Sequence, residues 1–328
     1  MNCRLRVFFP RLLISTLFFS IQANAKVSVS DTVRTTTWTK ADSPYHVTGE
    51  VIVPPGNTLT IEPGVDVLFD TDVQLLVQGR LDAVGTEVDS VRFLLGSALE
   101  WGGIYFTGDD SSSIRYSRIS KAKGRGEDSP DLRSHGVTAY GANLRLTVEF
   151  SVVSGWAQGE GSTEAAVYIV EAKLSMSDCI IRDNSGYGLE ISRGTDAKIR
   201  RCEVYRNRGG AYVRSGARFD SCTFRDNLGP GVYGSNIVMT HCLIVKNQGA
   251  GIQTVYDLNA YQCTIAGNGD YGLKGFSRGD LSIVSSIIWN NRPHGVTTIP
   301  FDDYYGFMGS LSIQSTVLSD VDIQGHAG

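Results

Sequence analysis

The chain has 328 residues, 41% hydrophobic and 20% charged, with 37 glycines, nine prolines and six cysteines. That length supports one large domain or two ordinary ones around a sizeable core, and the hydrophobic content excludes a disordered chain. The net charge of −4 argues against a nucleic-acid partner, and the glycine excess has no Gly-X-Y period, which excludes collagen.

Residues 1–25 read as a signal peptide. Arg4, Arg6 and Arg11 flank the apolar run Leu12–Ile21, and Ala23-Asn24-Ala25 supplies a cleavage site before Lys26. Cleavage there leaves 27 basic against 34 acidic residues, a net charge of −7, and no transmembrane segment. The expected location is therefore exported: periplasmic, cell-surface or extracellular. Residues 26–100 read as an N-terminal cap and first coils. Within them Gly49–Phe69 alternates apolar segments with Pro-Gly turns, and Leu75–Gly79 continues in kind. Residues 101–328 read as further coils with a degenerate C-terminal end. Segments Lys121–His135 and Trp156–Glu164, rich in Gly, Ser and charge, read as long loops between the earlier coils.

Past residue 170 the sequence repeats. Cys179, Cys202, Cys222, Cys242 and Cys263 recur at spacings of 20–23 residues, and Ser286 takes the same slot in a sixth copy. Five residues after each comes asparagine: Asn184, Asn207, Asn227, Asn247, Asn268 and Asn291. Nine residues after each comes Gly188, Ala211, Gly231, Gly251, Gly272 or Gly295, followed by an apolar or aromatic residue. Short alternating segments without helix caps fit three short strands per turn of a single-stranded, all-β, right-handed parallel β-helix, a solenoid with an N-terminal cap. Cysteine and the residue two further on (Ile181, Val204, Phe224, Ile244, Ile265) are expected inside as ladders, with the thiols free. Asparagine is expected at the turn, bonded to adjacent coils and tolerating left-handed backbone; glycine supplies positive φ or close approach. Tyr212 is expected in the core. The charges Asp183, Arg206, Asp226 and Lys246 share one slot and read as a stacked ion-pair ladder.

The run Val53-Pro-Pro-Gly-Asn-Thr-Leu-Thr-Ile-Glu-Pro-Gly-Val65, the later Trp101-Gly-Gly-Ile104 and the Asn/Gly repeats resemble the exported right-handed parallel β-helix proteins of bacteria, in the pectate-lyase-like superfamily. The resemblance covers roughly residues 45–300 and implies the fold far more than a function, because that superfamily includes lyases, hydrolases, epimerases and adhesins.

Two motif strings fail on context. Gly267–Gly272 matches a dinucleotide fingerprint but falls on the repeat's own Asn and Gly slots with no helix following, and Gly275–Gly279 matches a nucleophile elbow without the strand–turn–helix context. β-Helix polygalacturonases are similar in carrying paired aspartates and a downstream His-Gly, which makes Asp109, Asp110 and His135 candidate catalytic residues. The accompanying Asn-Thr-Asp and Arg-Ile-Lys motifs are missing in the expected order, and Pro293-His294-Gly295 repeats the His-Gly string in a structural slot. A lyase needs acidic Ca²⁺ ligands and a basic residue, for which Glu127, Asp128, Asp131 and Arg133, with Glu160 and Glu164, are the available parts. Otherwise no cofactor or metal is expected, since the histidines are scattered and no Cys-x-x-Cys occurs. Tyr187, Tyr233, Tyr256 and Tyr271 are candidate sugar-stacking residues. The expected function is binding, or binding with processing, of an extended polysaccharide or cell-surface glycan along the elongated face. An enzyme of this kind would be a polysaccharide lyase or glycoside hydrolase. The alternative is a non-catalytic surface or periplasmic scaffold of adhesion type.

Overall fold

A computed structural model describes residues 27–96, 100–122, 135–155, 165–276, 279–292, 295–299 and 310–318. The signal-peptide reading of residues 1–25 and most of the two long loops lie outside the described residues. The chain winds as a parallel β-helix with three faces. A 12-stranded sheet, from Thr36–Trp38 to Leu311–Gln314, forms the first face. The second runs from Asp66–Phe69 to Val317–Leu318 and the third from Leu75–Val77 to Val296–Ile299. The nine-residue strand Tyr45–Val53 joins these two by pairing with a strand of each. The Pro-Gly turns fall as read, with Gly56 and Gly64 at φ 74° and 79° between strands.

Side chains alternate along each strand, so every second residue points inward and stacks on its equivalent one coil away. The row Ile181, Val204, Phe224, Ile244, Ile265 is fully buried, as the repeat predicts. A side chain such as Phe224 contributes roughly 2–3 kcal/mol by leaving water.

Two corners per coil turn the chain, each through one left-handed residue. Between the first and second faces, Tyr116, Phe150, Asp178, Arg201, Ser221, His241, Gln262, Ser285 and Ser315 hold φ between 44° and 56°. The next residue is Ser, Cys or Thr, and it donates to the carbonyl two residues upstream. These bonds span 3.0 Å at Ser117, 3.2 Å at Cys202, 3.4 Å at Cys222 and 2.9 Å at Ser286. The five cysteines are therefore buried, free and weakly hydrogen-bonded rungs. The bond each makes to the preceding cysteine, with burial added, pushes the Cys202, Cys222 and Cys242 thiols up to about 12, and Cys263 higher still.

The second corner carries the asparagine ladder. Asn227 Oδ1 accepts from the Asn207 backbone N–H at 3.0 Å and from Asn207 Nδ2 at 3.2 Å. Asn227 Nδ2 donates to Val204 O at 3.2 Å and to Asn247 Oδ1 at 2.8 Å. All six asparagines from Asn184 to Asn291 are buried in this way. The left-handed backbone sits one residue earlier than expected, at Asp183, Arg206, Asp226, Lys246, Gly267 and Asn290. The asparagine must be extended enough to aim its amide along the helix axis, so its predecessor absorbs the turn.

Of the two roles expected for the repeat glycines, positive φ or close approach, the structure shows the second: a Cβ at Gly231 would lie 2.7 Å from Gly251 O and 2.8 Å from Asn247 Nδ2. One further expectation is corrected. The coil of Cys202 is one residue shorter after its asparagine, so Gly210 takes the glycine slot. Ala211 then pairs with Leu189 and Val232 inside, and Tyr212 turns outward. Of the charged slot, Arg206 grips Asp183 bidentately at 2.6 and 2.9 Å, whereas Asp226 pairs with Arg225 at 2.9 Å within its own coil.

Candidate functional site

The third face carries an outward row whose chemistry changes from coil to coil: Tyr105, Thr138, Tyr168, Glu190, Tyr212, Tyr233, Gln253, Lys274 and Thr297. At its centre three phenols pile up along the helix axis. Tyr187 and Tyr212 have ring centroids 5.6 Å apart, and Tyr212 and Tyr233 stack at 5.1 Å with an interplanar angle of 11°. Tyr187 enters this stack because Gly209 lies beneath it: a Cβ there would fall 2.3 Å from Tyr187 Cε1. The shortened turn that places Gly209 and Gly210 together thus seats one tyrosine and turns another outward.

Glu190 lies beside the stack with its side chain only 5% exposed, and accepts a 2.8 Å hydrogen bond from Arg214 Nε. The Arg214 guanidinium, 43% exposed, lies 4.7 Å from the Tyr212 ring centroid. Burial works against the charge on Arg214, but the hydrogen bond and charge of Glu190 outweigh it and raise the Arg214 pKa. Burial, then Tyr233 and Tyr212, pushes the Tyr187 phenol up to about 12; burial also raises Tyr233. At neutral pH the Tyr187 and Tyr233 phenols are therefore neutral donors and acceptors. Tyr212, Arg214, Tyr233, Ser235 and Val255 line a shallow cleft of about 210 Å³ that runs along the stack. Flat rings flanked by a guanidinium and hydroxyls suit the apolar faces and rim hydroxyls of sugar rings.

The other candidates disperse. Asp109 and Asp110 are exposed past one end of the third-face strand Ile104–Phe106, where they line a depression with Pro55 and Gln78. His135 precedes the paired strand Val137–Tyr140 at the opposite end, so the structure does not bring it to the two aspartates. His135 is buried, with Nδ1 3.1 Å from Ala165 N and 2.9 Å from Ala165 O, and its ring packs 4.2 Å from Tyr168. Asp128, Asp131 and Arg133, like Glu127, Glu160 and Glu164, lie outside the described residues. Among the described residues no group of three His, Cys, Asp or Glu is placed to hold a metal, and no helix is long and apolar enough to cross a membrane.

Of the four tyrosines read as sugar contacts, Tyr187 and Tyr233 meet through Tyr212. Tyr256 is 41% exposed beyond the end of the strand Ile252–Thr254, and Tyr271 lies two coils beyond Tyr233, with Lys274 Nζ 5.4 Å from its ring. Sequence reasoning missed Glu190, Arg214 and Tyr168. Their only signal was outward position in the strand alternation, 22 and 24 residues apart. Elsewhere, the late coils of the second face leave apolar side chains in solvent, Ile287 at 44% and Trp289 at 53%.

The family model described as "Right handed beta helix region" matches residues 102–288. A solved variant of the periplasmic alginate epimerase AlgG has 13% identity and a TM-score of 0.61, with 84% of this chain and 75% of that one covered. The A-module of the Azotobacter vinelandii mannuronan C-5 epimerase AlgE4 has 14% identity and a TM-score of 0.56, with 92% and 90% covered. Protein bark beetle of Drosophila melanogaster is 45% identical over 47 residues, 14% of this chain and only 2% of that protein. With parallel strands on three faces and corners built from stacked ladders, the chain belongs to the right-handed β-helix family.

Proposed function

We propose that this is an exported protein whose third face binds an extended polysaccharide, with the Tyr187–Tyr212–Tyr233 stack as its platform. The observation that carries this reading is the cluster itself: Tyr212 stacked on Tyr233 one coil away, with Tyr187 tilted against Tyr212 at 37°, beside an open cleft and an Arg214–Glu190 pair. Coils repeat every 4.8 Å or so, so an extended polymer lying along the axis would span the outward residues of several coils. Solved neighbours of like fold are named for alginate or mannuronan, which supports a polysaccharide as the class of ligand.

Affinity electrophoresis of the mature protein through gels containing soluble polysaccharides tests this. At least one polymer should retard it, and Tyr212→Ala should weaken that binding by about tenfold, the effect of a central aromatic contact. Retardation by none of a broad glycan panel would overturn the proposal. The same mixtures assayed for new reducing and unsaturated ends read turnover.

A further inference from the structure

We infer that the polysaccharide bound by this face is uncharged. The inference rests on the polysaccharide reading above and adds the class of polymer. It starts from charge balance along the tyrosine row. Glu190 is buried against Arg214 Nε at 2.8 Å, and Lys274 Nζ is engaged by Asp270 at 3.2 Å. Each of these cations thus already faces a carboxylate of its own chain, on the same side of the sheet as the phenols. A uronate arriving at Arg214 would have to share the guanidinium with Glu190, placing two carboxylates against one cation beside a buried acid.

The surroundings add no positive field. The chain after residue 25 carries a net charge of −7. A polyanion would meet repulsion at long range and, at Arg214 and Lys274, cations already paired with carboxylates. A neutral sugar meets none of that cost. Its apolar ring face packs on Tyr212 and Tyr233, and its hydroxyls exchange hydrogen bonds with phenols and with the donors that Arg214 still presents to solvent.

The test compares the mature full-length protein on neutral polymers (a soluble β-glucan, a galactomannan and a xylan) with polymannuronate and polygalacturonate, by affinity electrophoresis at low and at high salt. A neutral polymer should bind at least about tenfold more tightly than either uronate polymer, and its binding should change less than about twofold between 20 and 500 mM NaCl, because no ion pair is being screened. Glu190→Gln keeps the shape of the side chain and releases the Arg214 charge, so it should acquire binding to the uronate polymers while retaining the neutral one. Should that variant fail to fold, the salt series on the unaltered protein decides alone. Uronate polymers retained as well as or better than neutral ones, in a manner lost in Tyr212→Ala, would overturn the neutral-ligand inference and leave the polysaccharide reading standing. Retention of no polymer would overturn both.

Discussion

The two sides of one strand set follow different rules. Along the third face the inward row Leu189, Ala211, Val232, Ile252, Leu273 and Val296 is wholly buried and varies only in size. The outward row on the same strands reads Glu190, Tyr212, Tyr233, Gln253, Lys274 and Thr297, and no two neighbours but the tyrosines are alike. Inside, every coil solves the same packing problem against the coils on either side. Outside, the residue answers to solvent, to a ligand or to a neighbouring side chain, as Glu190 does to Arg214. Repetition is therefore the mark of structure in this molecule, and a break in repetition on an outward row is the mark of function.

The sharpest way to break the inner order is at the asparagine corner. Asn227→Leu removes four hydrogen bonds and leaves the buried Asn207 N–H without its acceptor. At about 1–3 kcal/mol for each stranded buried group, a loss of roughly 3–5 kcal/mol is expected, read as a lower urea midpoint. The neighbouring coils should lose protection together in hydrogen exchange, because each coil is stable only against the next.

A second effect follows from the thiols and Tyr187. Folding raises the pKa values of Cys202, Cys222 and Cys242 from 9.0, and that of Tyr187 from 10.0, to about 12, so the unfolded chain sheds these protons first. The stability they contribute is complete below pH 9 and is lost as pH rises from about 9 to 12. Thermal melts across that range should show a steep alkaline decline, and replacing Cys202, Cys222 and Cys242 by serine should flatten it. An unchanged slope in that variant would remove the thiols from the account.

The smallest effect belongs to the other corner. Cys222→Ser should cost less than about 1 kcal/mol, since Ser117, Ser151 and Ser286 already occupy this slot and make the same bond to the carbonyl two residues upstream. Asparagine needs an acceptor and a donor aimed in opposite directions along the axis, and no other small side chain offers both. The first corner needs only a compact donor. That difference explains why one slot holds a single residue type through six coils while the other mixes Ser, Cys and Thr.

The same logic separates what was legible in the sequence from what was not. The cysteine and asparagine slots were visible because an inward rung must be repeated. Ala211 and Tyr212 were misassigned because one residue is missing from the turn after Asn207, and a shift of one reverses inside and outside on a strand. Glu190 and Arg214 come from different coils and meet only through the strand register, so no local motif announces them. Asp109, Asp110 and His135 formed a motif on paper, yet the strand between the acids and the coil of the histidine holds them at opposite ends.

The account places ligand contact on the third face, and a matched pair of variants tests it most directly. Tyr233→Ala alters the tyrosine stack, whereas Trp289→Ala removes the 53% exposed indole of the second face. Both proteins should keep the parent urea midpoint to within about 1 kcal/mol, since neither side chain packs in the interior. In affinity electrophoresis on the retained polysaccharide, Tyr233→Ala should lose about tenfold in affinity while Trp289→Ala binds as the parent does. Loss of binding in Trp289→Ala with Tyr233→Ala unaffected would contradict the assignment and move the ligand to the second face.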